Sequence, residues 1–128
     1  MKVTEFTVKR KEWLHGEGSG GSFLLRGSDS KMCCLGFFCV AAGCDPADLA
    51  GVQVPHELDG ECKAAIREQL IREDDPTTHP QVVNDLMTAN DRYTNVRGTD
   101  MDIETEEKRE EVITKLFEQM GVKVNFVD

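Results

Sequence analysis

The run from Lys31 to Ala42 constrains this chain more than any other segment. It reads Lys-Met-Cys-Cys-Leu-Gly-Phe-Phe-Cys-Val-Ala-Ala, and coiled as a helix it is apolar on every face. Met32, Leu35, Gly36, Cys39 and Val40 fall on one stripe, while Cys33, Phe37 and Ala41, and Cys34 with Phe38, make the other faces apolar too. A helix with no polar side has nowhere to lie except the centre of a core, with everything else arranged around it. Ser28, Asp29 and Ser30 offer capping oxygens before the run, and Gly43 and Pro46 offer a stop after it. Gly36 costs about 1 kcal/mol relative to alanine in a helix interior, so its presence predicts close approach by another backbone.

The flanking segments carry the periodicities needed to wrap such a helix. Val3 to Leu14 and Ser22 to Arg26 read as short strands joined by the glycine-rich His15–Gly21 loop, which together suggest an N-terminal hairpin. Helical spacing predicts helices over about 59–73 (Cys62, Ala65, Ile66, Leu70), over 81–90 (Val82, Val83, Leu86, Met87), and from Asp102 or Thr105 to Gly121 (Val112, Ile113, Leu116, Phe117, Met120). A short helical turn fits 45–49. Val122, Val124 and Phe126 alternate with polar residues like a half-buried strand. The expected fold is a single α+β domain over 1–128, a three-stranded antiparallel or mixed sheet of the hairpin plus the C-terminal strand, with about four helices and the buried 31–42 helix at its centre.

Charge is the next constraint. The formal net charge of −9 is not spread evenly: residues 57–75 hold seven acids and three bases and residues 100–118 hold eight acids and three bases, while the remainder is balanced. An acidic chain is a poor ligand for phosphate backbones, so direct nucleic-acid binding is disfavoured, whereas basic protein surfaces and nucleic-acid mimicry stay open. No apolar run is long enough to span a bilayer, and Met1–Phe6 lacks a secretory pattern, so a cytoplasmic protein without membrane contact is expected. Four of the five cysteines crowd between Cys33 and Cys44 instead of spreading over loops, which favours reduced thiols and no disulfide.

Ser30-Lys-Met-Cys-Cys-Leu-Gly36, Asn90-Asp91-Arg92 and the ending Leu116-Phe-Glu-Gln-Met-Gly-Val-Lys-Val-Asn-Phe-Val127 resemble a group of small phage and prophage proteins without assigned function. The resemblance covers most of residues 22–127. It implies a phage or bacterial cytoplasmic origin and carries no activity with it.

Several side-chain groups bear on chemistry. A thiol at the start of a buried helix, Cys33 or Cys34, is where papain-like hydrolases hold their nucleophile, since a helix N-terminus lowers thiol pKa. His56 and His79 stand beside prolines and His15 precedes the cysteines, unlike the later-strand histidine of those enzymes. The cysteine and histidine spacings do not form a zinc-ligand set, and no metal or cofactor is expected. Trp13 borders the glycine loop and reads either as a core cap or as an exposed anchor. Glu106, Glu107, Glu110 and Glu111 repel one another at i, i+4, which suggests a basic partner.

The leading functional expectation is a non-enzymatic binding protein, an accessory factor acting on a host protein through acidic surfaces of the 59–73 and 102–121 helices; a homodimer is also compatible. The alternatives are a small hydrolase using Cys33 or Cys34, and a small-molecule binder using the glycine loop with Asn90 and Asp91.

Overall fold

A computed structural model describes residues 3–16, 23–72, 74–75, 79–91, 95–96, 101–103 and 105–128. Its elements run β1 (Glu5–Lys9), α1 (Cys34–Ala41), α2 (Pro46–Leu49), α3 (Gly60–Leu70), α4 (Gln81–Asp91), β2 (Asn95–Val96), β3 (Met101–Asp102), α5 (Glu106–Gln119) and β4 (Lys123–Val127), with 3-10 turns at Arg10–Glu12 and Pro55–Glu57. The class is α+β, as the periodicities imply. The sheet is not the expected one.

β1 pairs with β4 in parallel, in the register Glu5 to Lys123 through Lys9 to Val127, and among the described residues these two strands make the whole of that sheet. Among the described residues no N-terminal hairpin forms. Phe23, Leu24 and Leu25 turn away from β1: the Cys33 N–H donates to the Phe23 carbonyl at 3.1 Å, the Leu24 N–H donates to the Val52 carbonyl at 2.8 Å, and Leu25 forms an isolated parallel bridge with Ala50. The segment is used to pack the central helix. β2 and β3 form a separate two-stranded antiparallel ladder within a stretch whose composition reads as turns. The expected three-stranded antiparallel or mixed sheet is therefore replaced by a parallel pair, because β4 leaves α5 and returns alongside β1 in the same direction after a long helical crossover.

Within this frame α1 is the central helix. Cys34, Leu35, Phe38 and Cys39 are essentially inaccessible, and Gly36 is buried with them. A methyl group on Gly36 would overlap the Leu24 carbonyl, the close backbone approach that glycine at this position implies. α1 begins three residues later than the apolar run, because the Met32 backbone bridges to the N-terminal segment instead: its N–H donates to Glu12 at 2.9 Å and its carbonyl accepts from Leu14 at 2.8 Å. Phe6 of β1 meets Phe38 of α1 and Phe117 of α5 edge-on at 5.7 and 5.0 Å, which ties strand, central helix and C-terminal helix into one aromatic cluster.

The other helices start and stop where their sequence chemistry places them. Asp45 caps α2, accepting from the Ala47 N–H at 2.9 Å, and the Thr105 hydroxyl caps α5, accepting from the Lys108 N–H at 3.1 Å. Gly121, with φ of 75°, lets the chain leave α5 for β4. α5 packs on α4 and β4, whereas α3 packs on α1 and the 55–57 turn, so the two acidic helices lean on different neighbours.

One covalent feature overturns an expectation. Cys44, just after α1, is disulfide-bonded to Cys62 in α3, with Cα atoms 4.9 Å apart, inside the range a disulfide requires. The crowding of cysteines around α1 hid this pair, because Cys44 lies past the helix end and its partner is 18 residues on. Cys33, Cys34 and Cys39 are buried and not disulfide-bonded. Among the described residues no helix is long and apolar enough to cross a membrane.

Candidate functional site

Some of the groups singled out by sequence, Trp13, His15, Cys34, Asn90 and Glu106, converge on a polar junction where the 13–16 segment, α1, α4 and α5 meet. Asn90, 1% exposed near the end of α4, is its hub. Its side-chain oxygen accepts from Trp13 Nε1 at 2.8 Å and from the Cys34 backbone N–H at 3.1 Å; its amide nitrogen donates to the Leu14 carbonyl and to Asp91 Oδ1, both at 2.9 Å. Helix α1 thus has no cap from its own chain neighbours, since Cys33 supplies no side-chain cap, and Asn90 reaches across the core to take its first orphan N–H. Ser28, Asp29 and Ser30, the expected caps, lie too early for the helix that forms.

Arg109 completes the junction from α5. It is fully buried, and its Nη1 donates to the carbonyls of Ala89 at 2.6 Å and Asn90 at 3.1 Å, capping the C-terminal end of α4, where a cation also suits the helix dipole. Its Nε donates to Glu106 at 2.6 Å, and Glu106 in turn meets His15 Nδ1 at 3.0 Å. His15 stacks on Trp13 with ring centroids 4.0 Å apart, and the Gly16 N–H donates to the Asn90 carbonyl at 2.8 Å. Trp13, 3% exposed, is a core residue with its indole N–H satisfied, not an exposed anchor.

The junction buries the Cys34 thiol instead of presenting it to solvent. Cys34 is wholly buried, and burial, reinforced by the proximity of Cys33 and Asp91, pushes its thiol well above the usual range. Burial also pushes the Cys39 thiol up. A helix N-terminus favours a thiolate only where the sulfur can be solvated or paired, and here the first turn is closed by Asn90. Asn90 is equally unavailable to a ligand, since both its oxygen and its nitrogen are bonded within the protein; the glycine loop at 17–21 and Arg92 lie outside the described residues.

The four carboxylates expected to bind a partner are divided by the structure. Glu106 belongs to the junction. Glu110 takes a two-pronged bond from Arg10, at 2.8 and 2.9 Å, which joins α5 to the turn after β1. Glu107 and Glu111 face solvent, with Glu111 flanked by Lys108 at 3.3 Å and Lys115 at 3.9 Å. Glu118, which the sequence pattern did not single out, is also exposed and falls on the same line of the helix, four and then seven residues further along. Counting from an outward-facing residue at helical spacing, instead of looking for clustered acids, would have found it.

The histidines are not all at the surface. His79 is buried at 7% exposure, and its Nε2 accepts from the His56 N–H at 3.3 Å and faces His56 Nδ1 at 3.2 Å. Burial and then the neighbouring His56 hold its imidazole below the ordinary range, partly offset by a bond to Asn84. Among the described residues no three His, Cys, Asp or Glu side chains are grouped to hold a metal ion.

Fold and junction together define a small α+β protein built around one buried helix whose conspicuous polar residues are occupied with each other. No protein-family model matches the sequence, and neither the curated proteins nor the solved structures give a significant match.

Proposed function

We propose that this chain is a non-catalytic binding protein that engages a basic protein surface through the outward stripe of α5. The observation that supports the reading is the alignment of Glu107, Glu111 and Glu118, all exposed, along a single face of one helix. They span eleven residues, or about 16 Å at 1.5 Å per residue, long enough to meet several cations on a partner. Lys108 and Lys115 moderate the stripe's field, so affinity rests on register with the partner's cations more than on bulk charge. The resemblance to phage proteins suggests a host-cell protein as that partner.

The test is capture from a host lysate at low and high salt, with wild type beside Glu107→Gln/Glu111→Gln/Glu118→Gln. A partner retained at low salt, released by salt and lost in the triple variant supports the stripe, since exposed charges act over only about 8 Å at physiological ionic strength. A partner retained equally by both proteins at both salts refutes it.

A further inference from the structure

β1 is an open edge, and its sequence is complementary to itself. Because the Lys123 N–H donates to the Thr4 carbonyl at 2.9 Å, the parallel ladder uses the backbone groups of Thr4, Phe6 and Val8. The N–H and C=O groups of Glu5, Thr7 and Lys9 therefore point to the other edge, where no strand pairs with β1 among the described residues. Beside that edge runs a groove of about 300 Å³ lined by Phe6, Thr7, Lys9, Met32, Phe37 and Val40. Val40 is 37% exposed, one of the two large exposed apolar residues described.

An unprotected edge of this kind accepts another strand unless its side chains forbid it, and a lysine on the edge ordinarily does so. Here the lysine has a counterpart. If a second copy's β1 lies antiparallel with Thr7 opposite the partner's Thr7, Glu5 falls opposite the partner's Lys9, and Lys9 opposite the partner's Glu5. The same register makes Glu5, Thr7 and Lys9 the hydrogen-bonded positions, the residues whose backbone groups point outward. Moving the register by one residue would lose both matches.

We propose that the chain forms a two-fold dimer by antiparallel pairing of β1 with β1, giving a continuous four-stranded sheet in the order β4, β1, partner β1, partner β4. The two-fold axis passes between the Thr7 residues. Each Val40 groove is covered by the neighbouring copy, and opposite charges alternate along the new strand pair.

Sedimentation equilibrium of the full chain at low salt, from about 1 µM to about 1 mM, tests this by mass action. Wild type dimerises. Lys9→Glu and Glu5→Lys each set like charges opposite one another and weaken self-association about tenfold, yet an equimolar mixture of the two recovers a heterodimer close to wild-type affinity. Thr7→Pro removes two central N–H donors without touching the β1–β4 ladder and gives a monomer. Circular dichroism and thermal melting establish that each variant is folded; should Thr7→Pro fail to fold, the charge pair decides alone. A wild-type chain that stays monomeric throughout, a dimer indifferent to the charge variants, or single variants that do not complement on mixing would overturn the proposal.

Discussion

Asn90 shows how much one side chain can be asked to hold. It joins an indole, the first N–H of the central helix and a carbonyl of the N-terminal segment, none of which has a neighbour in sequence that could serve. Replacing it with alanine strips partners from buried donors and an acceptor without admitting water to replace them, and each such group costs about 1–3 kcal/mol. Asn90→Ala is therefore expected to lose about 3 kcal/mol of stability or more by urea denaturation, with the native fluorescence of Trp13 altered. A loss below about 1 kcal/mol would mean that the hydrogen bonds of the junction contribute little. In the sequence Asn90 is one polar residue near the end of an amphipathic helix, and nothing in its spacing announces the role. Arg109 is hidden the same way, sitting among charged neighbours in a run that reads as solvated. Burial of a polar side chain depends on what the far parts of the chain bring to it, and that information is absent from local pattern.

The elements were more legible than the sheet that joins them. α3, α4 and α5 fall within a few residues of the helices that periodicity predicts, because an apolar stripe at helical spacing and a cap such as Thr105 are local signals. β4 was legible too, from alternation after Gly121. Pairing was not: Phe23-Leu24-Leu25 has the composition of a hairpin strand, but its backbone bonds go to Cys33 and Val52, and β1 waits for β4 at the opposite end of the chain. Histidine placement was likewise invisible beside two prolines. At the contact between the 55–57 turn and the segment leading into α4, His79 must stay neutral for its Nε2 to accept from His56. Its depressed pKa means that the unfolded chain takes up a proton the folded chain refuses as pH falls through about 6.5. Stability contributed here is complete above that value and declines below it until the depressed folded value is reached. Urea midpoints measured across this window should fall with pH in wild type and fall less in His79→Gln; equal slopes would show that the pair is not coupled to folding.

At the scale of the whole molecule, the buried junction and the exposed stripe divide the work. Charge, apolar pattern and cysteine content all drew attention to α1 and α5, but only the three-dimensional arrangement separates carboxylates that hold the fold, Glu106 and Glu110, from those that face outward, Glu107, Glu111 and Glu118. In the binding role we propose, the groups locked together in the centre hold the fold and the surface of α5 meets the partner. The thiols test this most directly. With three buried cysteines outside the one disulfide, denatured protein without reductant should titrate three thiols, and five after reduction. In the native state, labelling of Cys33 and Cys34 should proceed only through unfolding, with a labelling free energy that matches the global unfolding free energy as denaturant is raised. Fast native labelling of either thiol, with an apparent pKa below the usual value of about 8.5, would contradict the account and return the cysteine to the role of a nucleophile.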